Sequence, residues 1–250
     1  MYELTISVSY QKYFLIENIA KSLENDIKIS NGVMICGLFD GRACLSLAVH
    51  DNNKEFIKSL VLDVVSDTIV TFYKHEYLNE NVSSNIISST TRETLIKALS
   101  EFDKATDIDL VKKNLVFNNA IVIDSFYHFR LNELKIRWHE ISELVNNNLP
   151  NLVAGDCLSD MMKFLISAGP IKTDEIYIIN KNEFLLLKGK ELGLHTIKFR
   201  KKSKDTEQKL ITALISLSPK RIYITSDIYN ECKFLKSVEN LFDGRVIITH

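Results

Sequence analysis

Residues 221–225 read RIYIT, residues 228–242 read IYNECKFLKSVENLF, and residues 245–249 read RVIIT. The two short runs are rich in β-branched side chains, which favours strands, and the segment between them has the length and apolar spacing of a helix. A helix between two strands favours a parallel pair with a right-handed crossover. This end of the chain therefore predicts an α/β layer that contains a β-α-β unit.

The residues just before this unit extend the same layer. A short helix at 157–167 is closed by Gly169 and Pro170, and a second helix is predicted at 205–217. Three more strands are predicted between these helices, at 175–179, 183–187 and 194–199, with a turn at 180–182. The order β-β-β-α-β-α-β defines a C-terminal α/β domain, which we assign to residues 151–250.

The first fifty residues predict a small α+β unit. A strand at 2–8 is followed by a helical period over 10–23. Three short strands are predicted next, at 27–29, 33–38 and 43–49. Asp40 and Gly41 lie between the last two strands, and this dipeptide between apolar runs is a hairpin signal.

The middle of the chain predicts helices. An apolar stripe that starts after Asp51 predicts a helix of about 22 residues, residues 78–85 predict a loop, and 91–102 predicts another helix with a short piece at 109–114. The strongest signal is one long helix over 119–147, ended by the asparagine run at 146–148 and by Pro150. These elements complete a first domain at residues 1–150. The fold class is mixed α+β and α/β.

Composition excludes several functional classes. The chain has 250 residues, a formal net charge of −1 and 46% hydrophobic residues, so it has neither the basic footprint of a nucleic-acid-binding protein nor the composition of a disordered one. It has only 8 glycines and 3 prolines, which disfavours glycine-rich phosphate loops, and we expect no cofactor. We find no secretory signal and no membrane span, so we expect a cytoplasmic protein with four reduced, mostly buried thiols.

Two stretches carry a resemblance to a known family. Residues 123–131 read IDSFYHFRL and are similar to a motif of the YtxC family, which runs acidic, small, Phe, x, x, Phe, Arg, Leu at the start of a long helix. Residues 210–222 read LITALISLSPKRI and residues 241–246 read LFDGRV, and both resemble the family's C-terminal motifs. The order, the spacing and the chain length fit.

The resemblance implies a biological setting and no chemistry. The YtxC family is associated with sporulation in endospore-forming Firmicutes and has no defined reaction. It therefore implies a sporulation protein with an unidentified protein partner, and it carries no catalytic, cofactor-binding or metal-binding residue onto this chain. We expect a non-enzymatic binding or scaffold role, with the question of enzymatic activity and the oligomeric state left open.

The first candidate interaction residues lie in and after the motif. A guanidinium at Arg130, placed among Phe126, Phe129 and Trp138, could bind a carboxylate or a phosphate in a bidentate geometry. The alternative is structural: the two phenylalanines belong to the core, and Arg130 pairs with an acid such as Asp124. Substitution of Arg130 by Met separates the two interpretations.

The second candidate lies in the C-terminal layer. Ser226 and Asp227 follow the strand at 221–225, where open α/β sheets bind ligands, and they suggest an enzyme or a nucleotide-sensing regulator with a pocket beside them. Capping of the next helix explains the same residues. A third candidate is the basic run at 198–204, which could contact nucleic acid, although a solvated connection is the simpler interpretation.

Histidines and cysteines give weaker signals. His128 and His139 share a helical face, but three turns of helix separate them, so they cannot bind one metal ion. Cys157 opens a predicted helix, where an ordinary first-turn residue is the simpler interpretation.

Overall fold

The computed structural model describes residues 1–83, 87–154, 158–179, 183–188, 197–200 and 206–249. Contacts within the chain define two compact units. Unit 1 contains Met1–Tyr77 and Lys104–Ile141, and unit 2 contains Leu78–Asp103 and Ser142–His250. These units are groups of residues in contact, and they are not domains shown to fold independently. The division into two domains at residue 150 therefore stays a prediction.

Unit 1 consists of a four-stranded sheet with helices. Its elements are β1 (Tyr2–Ser9), a 3-10 turn (Tyr10–Lys12), α1 (Tyr13–Ile29), β2 (Val33–Phe39), β3 (Arg42–Val49), a second 3-10 turn (Asp51–Asn53), α2 (Lys54–Asn81), α4 (Lys104–Asn114), β4 (Ala120–Val122), α5 (Ile123–Arg130) and α6 (Asn132–Ala154). Two of these helices, α2 and α6, begin in unit 1 and end in unit 2. The helix α3 (Ser89–Glu101) belongs to unit 2.

The sheet of unit 1 has the order β2-β3-β1-β4. The pairs β2–β3 and β1–β3 are antiparallel, and β1–β4 is parallel. The hairpin predicted at Asp40 and Gly41 is confirmed, and both residues have positive φ, of 49° and 73°. A two-residue turn with two positive φ angles is the type I′ turn, whose twist matches that of the flanking strands.

One apolar core fills unit 1. Alternate residues of β1 and β3 point into it, and Leu15, Ile16, Ile19 and Leu23 of α1 pack on the same side. Ile27 continues that stripe one turn later. The strand predicted at 27–29 is therefore wrong, since this short apolar run is the last turn of α1.

Two further sequence predictions are corrected in the helical middle. Residues 78–81, predicted as part of a loop, continue α2 to Asn81, and Leu78 is buried. Arg92 donates to the carbonyl oxygen of Asn79 in the last turn of this helix and to that of Val82 just after it.

The predicted long helix is also divided. Residues 120–122 pair with β1 as a strand, and Leu131 interrupts the helix between α5 and α6. At its other end α6 continues through Pro150 to Ala154, so the prediction that Pro150 ends this helix is wrong. Proline removes a backbone hydrogen bond and crowds the preceding turn, but Leu149 beside it is buried and packs this segment of the helix.

Unit 2 contains the C-terminal α/β layer. After α3 and the end of α6 come α7 (Leu158–Ala168), β5 (Thr173–Ile179), β6 (Glu183–Lys188), β7 (Ile197–Arg200), α8 (Thr206–Leu217), β8 (Pro219–Thr225), α9 (Ser226–Glu231), α10 (Leu235–Leu241) and β9 (Val246–Thr249). The predicted order of strands and helices is confirmed. The helix predicted over 228–242 is two helices, because Cys232 is extended.

The five-stranded sheet of unit 2 has the order β7-β6-β5-β8-β9. The strand β8 is parallel to both β5 and β9, which confirms the predicted parallel pair, while β6 is antiparallel to its neighbours. Buried isoleucines point to one face of the sheet: Ile176, Ile178, Ile222 and Ile224. The turn predicted at 180–182 lies outside the described residues.

Membrane-spanning helices and buried thiols are the two remaining features that the sequence analysis considered. None of their helices combines the length and the apolar character needed to cross a membrane. Cys36, Cys44 and Cys232 are free thiols, but each is partly exposed rather than buried as expected. Cys157 lies outside the described residues.

Candidate interaction site

Asp124, the acidic residue of the 123–131 motif, holds four elements of unit 1 together. It stands in the first turn of α5, and its Oδ2 accepts the backbone N–H of Ser9 at 2.6 Å and lies 3.2 Å from Arg42 Nη2. The hydroxyl of Tyr73, from α2, donates to Oδ1 at 2.9 Å. Position near the helix N-terminus adds a favourable interaction with the helix dipole. Asp124 therefore pairs with Arg42 and not with Arg130.

Tyr73 links this carboxylate to an aromatic cluster. Its ring lies 4.3 Å from that of Tyr127 in α5, and Lys12 Nζ lies 4.0 Å above its centre. Lys12 also forms a 3.0 Å ion pair with Glu76, one turn further along α2. Burial, and after it the Asp124 carboxylate, raise the pKa of the Tyr73 hydroxyl, which keeps it neutral and able to donate.

Trp138 lies deeper in the core, where it contacts a buried ion pair. Its side chain is fully buried, and its Nε1 donates to Asp107 Oδ2 at 3.0 Å. Lys74 Nζ lies 2.7 Å from the same oxygen, and Arg137 Nη2 lies 3.9 Å from Oδ1. The indole is therefore a core side chain that donates to Asp107, whereas the sequence analysis grouped Trp138 with the Arg130 guanidinium.

The remaining motif residues divide between the core and the surface. Phe126 is half-buried against the core, and Tyr127 is buried. Phe129 is 77% exposed, and Arg130 is exposed and has no ion pair or hydrogen bond within the described part of the chain. The motif therefore points Phe129 and Arg130 to solvent, while its other aromatic rings stabilise the unit.

The end of α5 is held in a fixed position. Lys135, in the first turn of α6, donates from Nζ to the carbonyl oxygen of His128 at 2.8 Å, and its Nζ lies 5.6 Å from the centre of the Tyr127 ring. Leu131, which separates α5 from α6, is buried. Because the break is anchored on both sides, Phe129 and Arg130 are presented on ordered backbone. We call these two residues the α5 surface.

Ser226 and Asp227 stand at the start of α9 in unit 2. The N-cap of this helix is Thr225, and no side-chain hydrogen bond caps it, so the predicted capping by Ser226 or Asp227 is wrong. Asp227 is exposed. Two grooves described in unit 2, of about 490 and 250 Å³, are lined by residues of α3 and the segment before it, α6, α7, α8 and α10, and Ser226 and Asp227 line neither of them.

The remaining sequence candidates are the histidine and cysteine residues and the basic run at 198–204. No group of three or more histidine, cysteine, aspartate or glutamate side chains among the described residues could hold a metal ion. Most of the basic run predicted at 198–204 lies outside the described residues, as do the side chains of β7. Nucleic-acid binding by this run stays a prediction.

Sequence reasoning missed the residues that organise the site. Arg42 and Tyr73 lie 82 and 51 residues from Asp124 along the chain, and no local pattern relates them to it. A signal did exist for Lys74. It falls between Val70 and Leu78 on the buried stripe of α2, and a charge on such a stripe implies a buried partner.

Comparisons with known proteins identify a family. The family model described as the YtxC-like family matches residues 53–247, which include both stretches that carry the sequence resemblance. No curated protein and no solved structure matches the chain.

Proposed function

The chain belongs to the YtxC-like family, and from this premise we propose that it is a cytoplasmic, non-enzymatic binding protein of sporulation in an endospore-forming Firmicute. The family motif supports this proposal because its residues have two different roles. Asp124 accepts hydrogen bonds within the protein, whereas the side chains of Phe129 and Arg130 are exposed to solvent.

The chemistry of the α5 surface suits a protein partner. Exposed aromatic rings and guanidinium groups are the side chains that most often dominate binding energy at protein interfaces. A fitting partner has an apolar pocket for the Phe129 ring and a carboxylate beside it for a bidentate pair with Arg130.

The carboxylates near the motif support a binding role rather than a catalytic one. The carboxylates of Asp107 and Asp124 already accept hydrogen bonds from Trp138 and Tyr73, and each faces a cation. Carboxylates whose hydrogen bonds and charges are satisfied in this way stabilise the folded structure. The free thiols of Cys36, Cys44 and Cys232, which are the cysteines among the described residues, are in keeping with a reducing compartment such as the cytoplasm.

Complementation of a deletion mutant tests the proposal. A spore-forming host that lacks the gene should give fewer spores, and the wild-type gene should restore the yield. Phe129→Ala and Arg130→Met should fail to restore it at equal protein levels. Phe164→Ala is the matched control, because Phe164 is also an exposed phenylalanine, on α7 of unit 2, and this variant should restore the yield.

The outcomes separate the parts of the proposal. Normal sporulation of the deletion mutant would contradict the biological setting. Full rescue by both α5 variants would contradict the α5 surface and leave the setting intact. A photo-crosslinking amino acid at position 129, and one at position 164 as a control, should capture a partner at the onset of sporulation only from position 129.

A further inference from the structure

The edge strand β2 lacks the usual protection of a sheet edge. Its sequence, VMICGLF, has no charged residue and no proline, and it lies at one end of the strand order in unit 1. Natural edge strands generally carry charges, prolines or bulges that prevent pairing with another chain. Five large apolar side chains in and beside this strand are more than half exposed: Ile29, Val33, Ile35, Leu38 and Phe39.

The hairpin turn fixes which backbone groups of β2 point outward. In a hairpin closed by a two-residue turn, the flanking residues, here Phe39 and Arg42, form a hydrogen-bonded pair. Thr5 gives the same alternation. Its backbone N–H donates to the Asn119 carbonyl on the side of β1 away from β3, so the backbone groups of its β3 partner Ser46 point toward β2. Ser46 therefore forms a hydrogen-bonded pair with Ile35. The N–H and C=O groups of three residues therefore point to the free edge: Met34, Cys36 and Leu38.

These three residues define a self-complementary register. If two β2 strands pair antiparallel about a two-fold axis at Cys36, Cys36 faces its own copy and Met34 faces Leu38 of the second copy. All three pairs then exchange both backbone bonds, giving about six N–H···O=C bonds. An axis moved by one residue in either direction, to Ile35 or Gly37, would use only two such pairs, with about four bonds.

Side chains fit the same register. Val33 lies opposite Phe39 of the second copy, and pairs of a β-branched with an aromatic side chain are favourable across antiparallel strands. Ile35 lies opposite Gly37 of the second copy, where the absence of a side chain leaves room: a Cβ on Gly37 would have no neighbour within 4 Å.

We propose that this chain forms a two-fold symmetric homodimer in which two β2 strands join the sheets of unit 1 into one eight-stranded sheet. The exposed apolar side chains supply on the order of 400 Å² per copy. A stable interface buries about 800 Å² per partner, and the backbone edge of β2 with the neighbouring α1 side chains supplies the remainder. Because one patch meets itself, the contact is isologous and closes at two copies.

Sedimentation equilibrium of the full chain tests the dimer. The wild-type protein should be dimeric at micromolar concentration. Leu38→Pro should weaken the dimer at least tenfold, because it removes a backbone donor at the free edge and leaves the β3 ladder intact. Ile35→Lys should weaken it similarly by placing charges at the interface. Val116→Lys is the control, since Val116 is exposed outside β2, and it should leave the dimer unchanged.

Thiol cross-linking tests the register. A short bismaleimide at pH 8 should join two wild-type chains through Cys36, and the product should disappear in Cys36→Ser but persist in Cys232→Ser. A wild-type monomer at 100 µM, or a dimer unaffected by both β2 variants with folded circular dichroism spectra, would overturn the proposal. None of these results depends on sporulation or on the α5 surface.

Discussion

Lys74 Nζ lies 2.7 Å from Asp107 Oδ2, and both side chains are almost completely buried in unit 1. The indole of Trp138 donates to the same carboxylate oxygen, so the three side chains form one buried polar group inside an apolar core. Removal of one partner from such a pair leaves an uncompensated charge without access to water.

Lys74→Met should lower the free energy of unfolding by about 3–5 kcal/mol, because the buried Asp107 carboxylate then loses its closest cation and keeps only Arg137, at 3.9 Å. The double variant Lys74→Met with Asp107→Asn should lose less than the two single variants combined, since no lone buried charge remains. Trp138 is the only tryptophan, so its fluorescence during urea unfolding reports this core directly. Strict additivity would contradict the coupling.

Asp124→Ala should cost about 2–4 kcal/mol, because the Tyr73 hydroxyl, the Ser9 N–H and the Arg42 guanidinium lose their shared acceptor. Asp124→Asn should cost less, since one oxygen remains to accept from Tyr73. Asp227→Ala is the matched control, because Asp227 also stands in the first turn of a helix but is exposed. Its urea midpoint should not move, and equal losses for Asp124→Ala and Asp227→Ala would contradict this role.

Tyr73 should make the protein sensitive to alkali. Burial, and then Asp124, raise its pKa in the folded state, whereas an unfolded tyrosine ionises near pH 10. The stability from neutral Tyr73 is therefore fully present below about pH 10 and is lost above it, at up to about 1.4 kcal/mol per pH unit. Urea unfolding from pH 9 to 11 should show a shallower decline for Tyr73→Phe. Tyr10→Phe, at an exposed tyrosine, should retain the wild-type slope.

Phe129→Ala should change stability by no more than about 0.5 kcal/mol, because its ring is largely in solvent. Tyr127→Ala, two residues earlier on α5, should cost about 3–5 kcal/mol, since it removes a buried aromatic ring. Thermal unfolding of both variants checks this contrast. A large loss for Phe129→Ala would mean that this ring stabilises the fold, and any sporulation defect of the variant could then not be assigned to binding.

Local patterns predicted the elements whose signals are complete within a few residues. The type I′ hairpin needs two residues that tolerate positive φ, and Asp40-Gly41 supplies them between two apolar runs. The α/β order of the C-terminal layer follows from alternating short β-branched runs and helical periods, and its parallel strands are confirmed. Short apolar runs such as residues 27–29 fit a strand or a helix equally, and the packing of Ile27 decided for the helix.

The sequence identified the residues of the candidate site but did not show which of them are exposed. The motif itself identified Phe129 and Arg130 as candidates, but periodicity could not tell which of its aromatic rings would be exposed. Trp138 shows the difficulty, because its position on an apolar stripe is equally compatible with a core side chain and with a binding surface. Its burial depends on Asp107 and Lys74, from two other helices.

The sequence by itself determined the mixed fold class, the hairpin, the order of the C-terminal strands and the family resemblance, because each depends on residue spacing along the chain. Only the tertiary structure decided that residues 120–122 form a strand, that Asp124 pairs with Arg42, and that β2 lies at an exposed edge. These features join residues far apart in sequence. Their stability comes from burial and hydrogen bonds that exist only once the chain has folded.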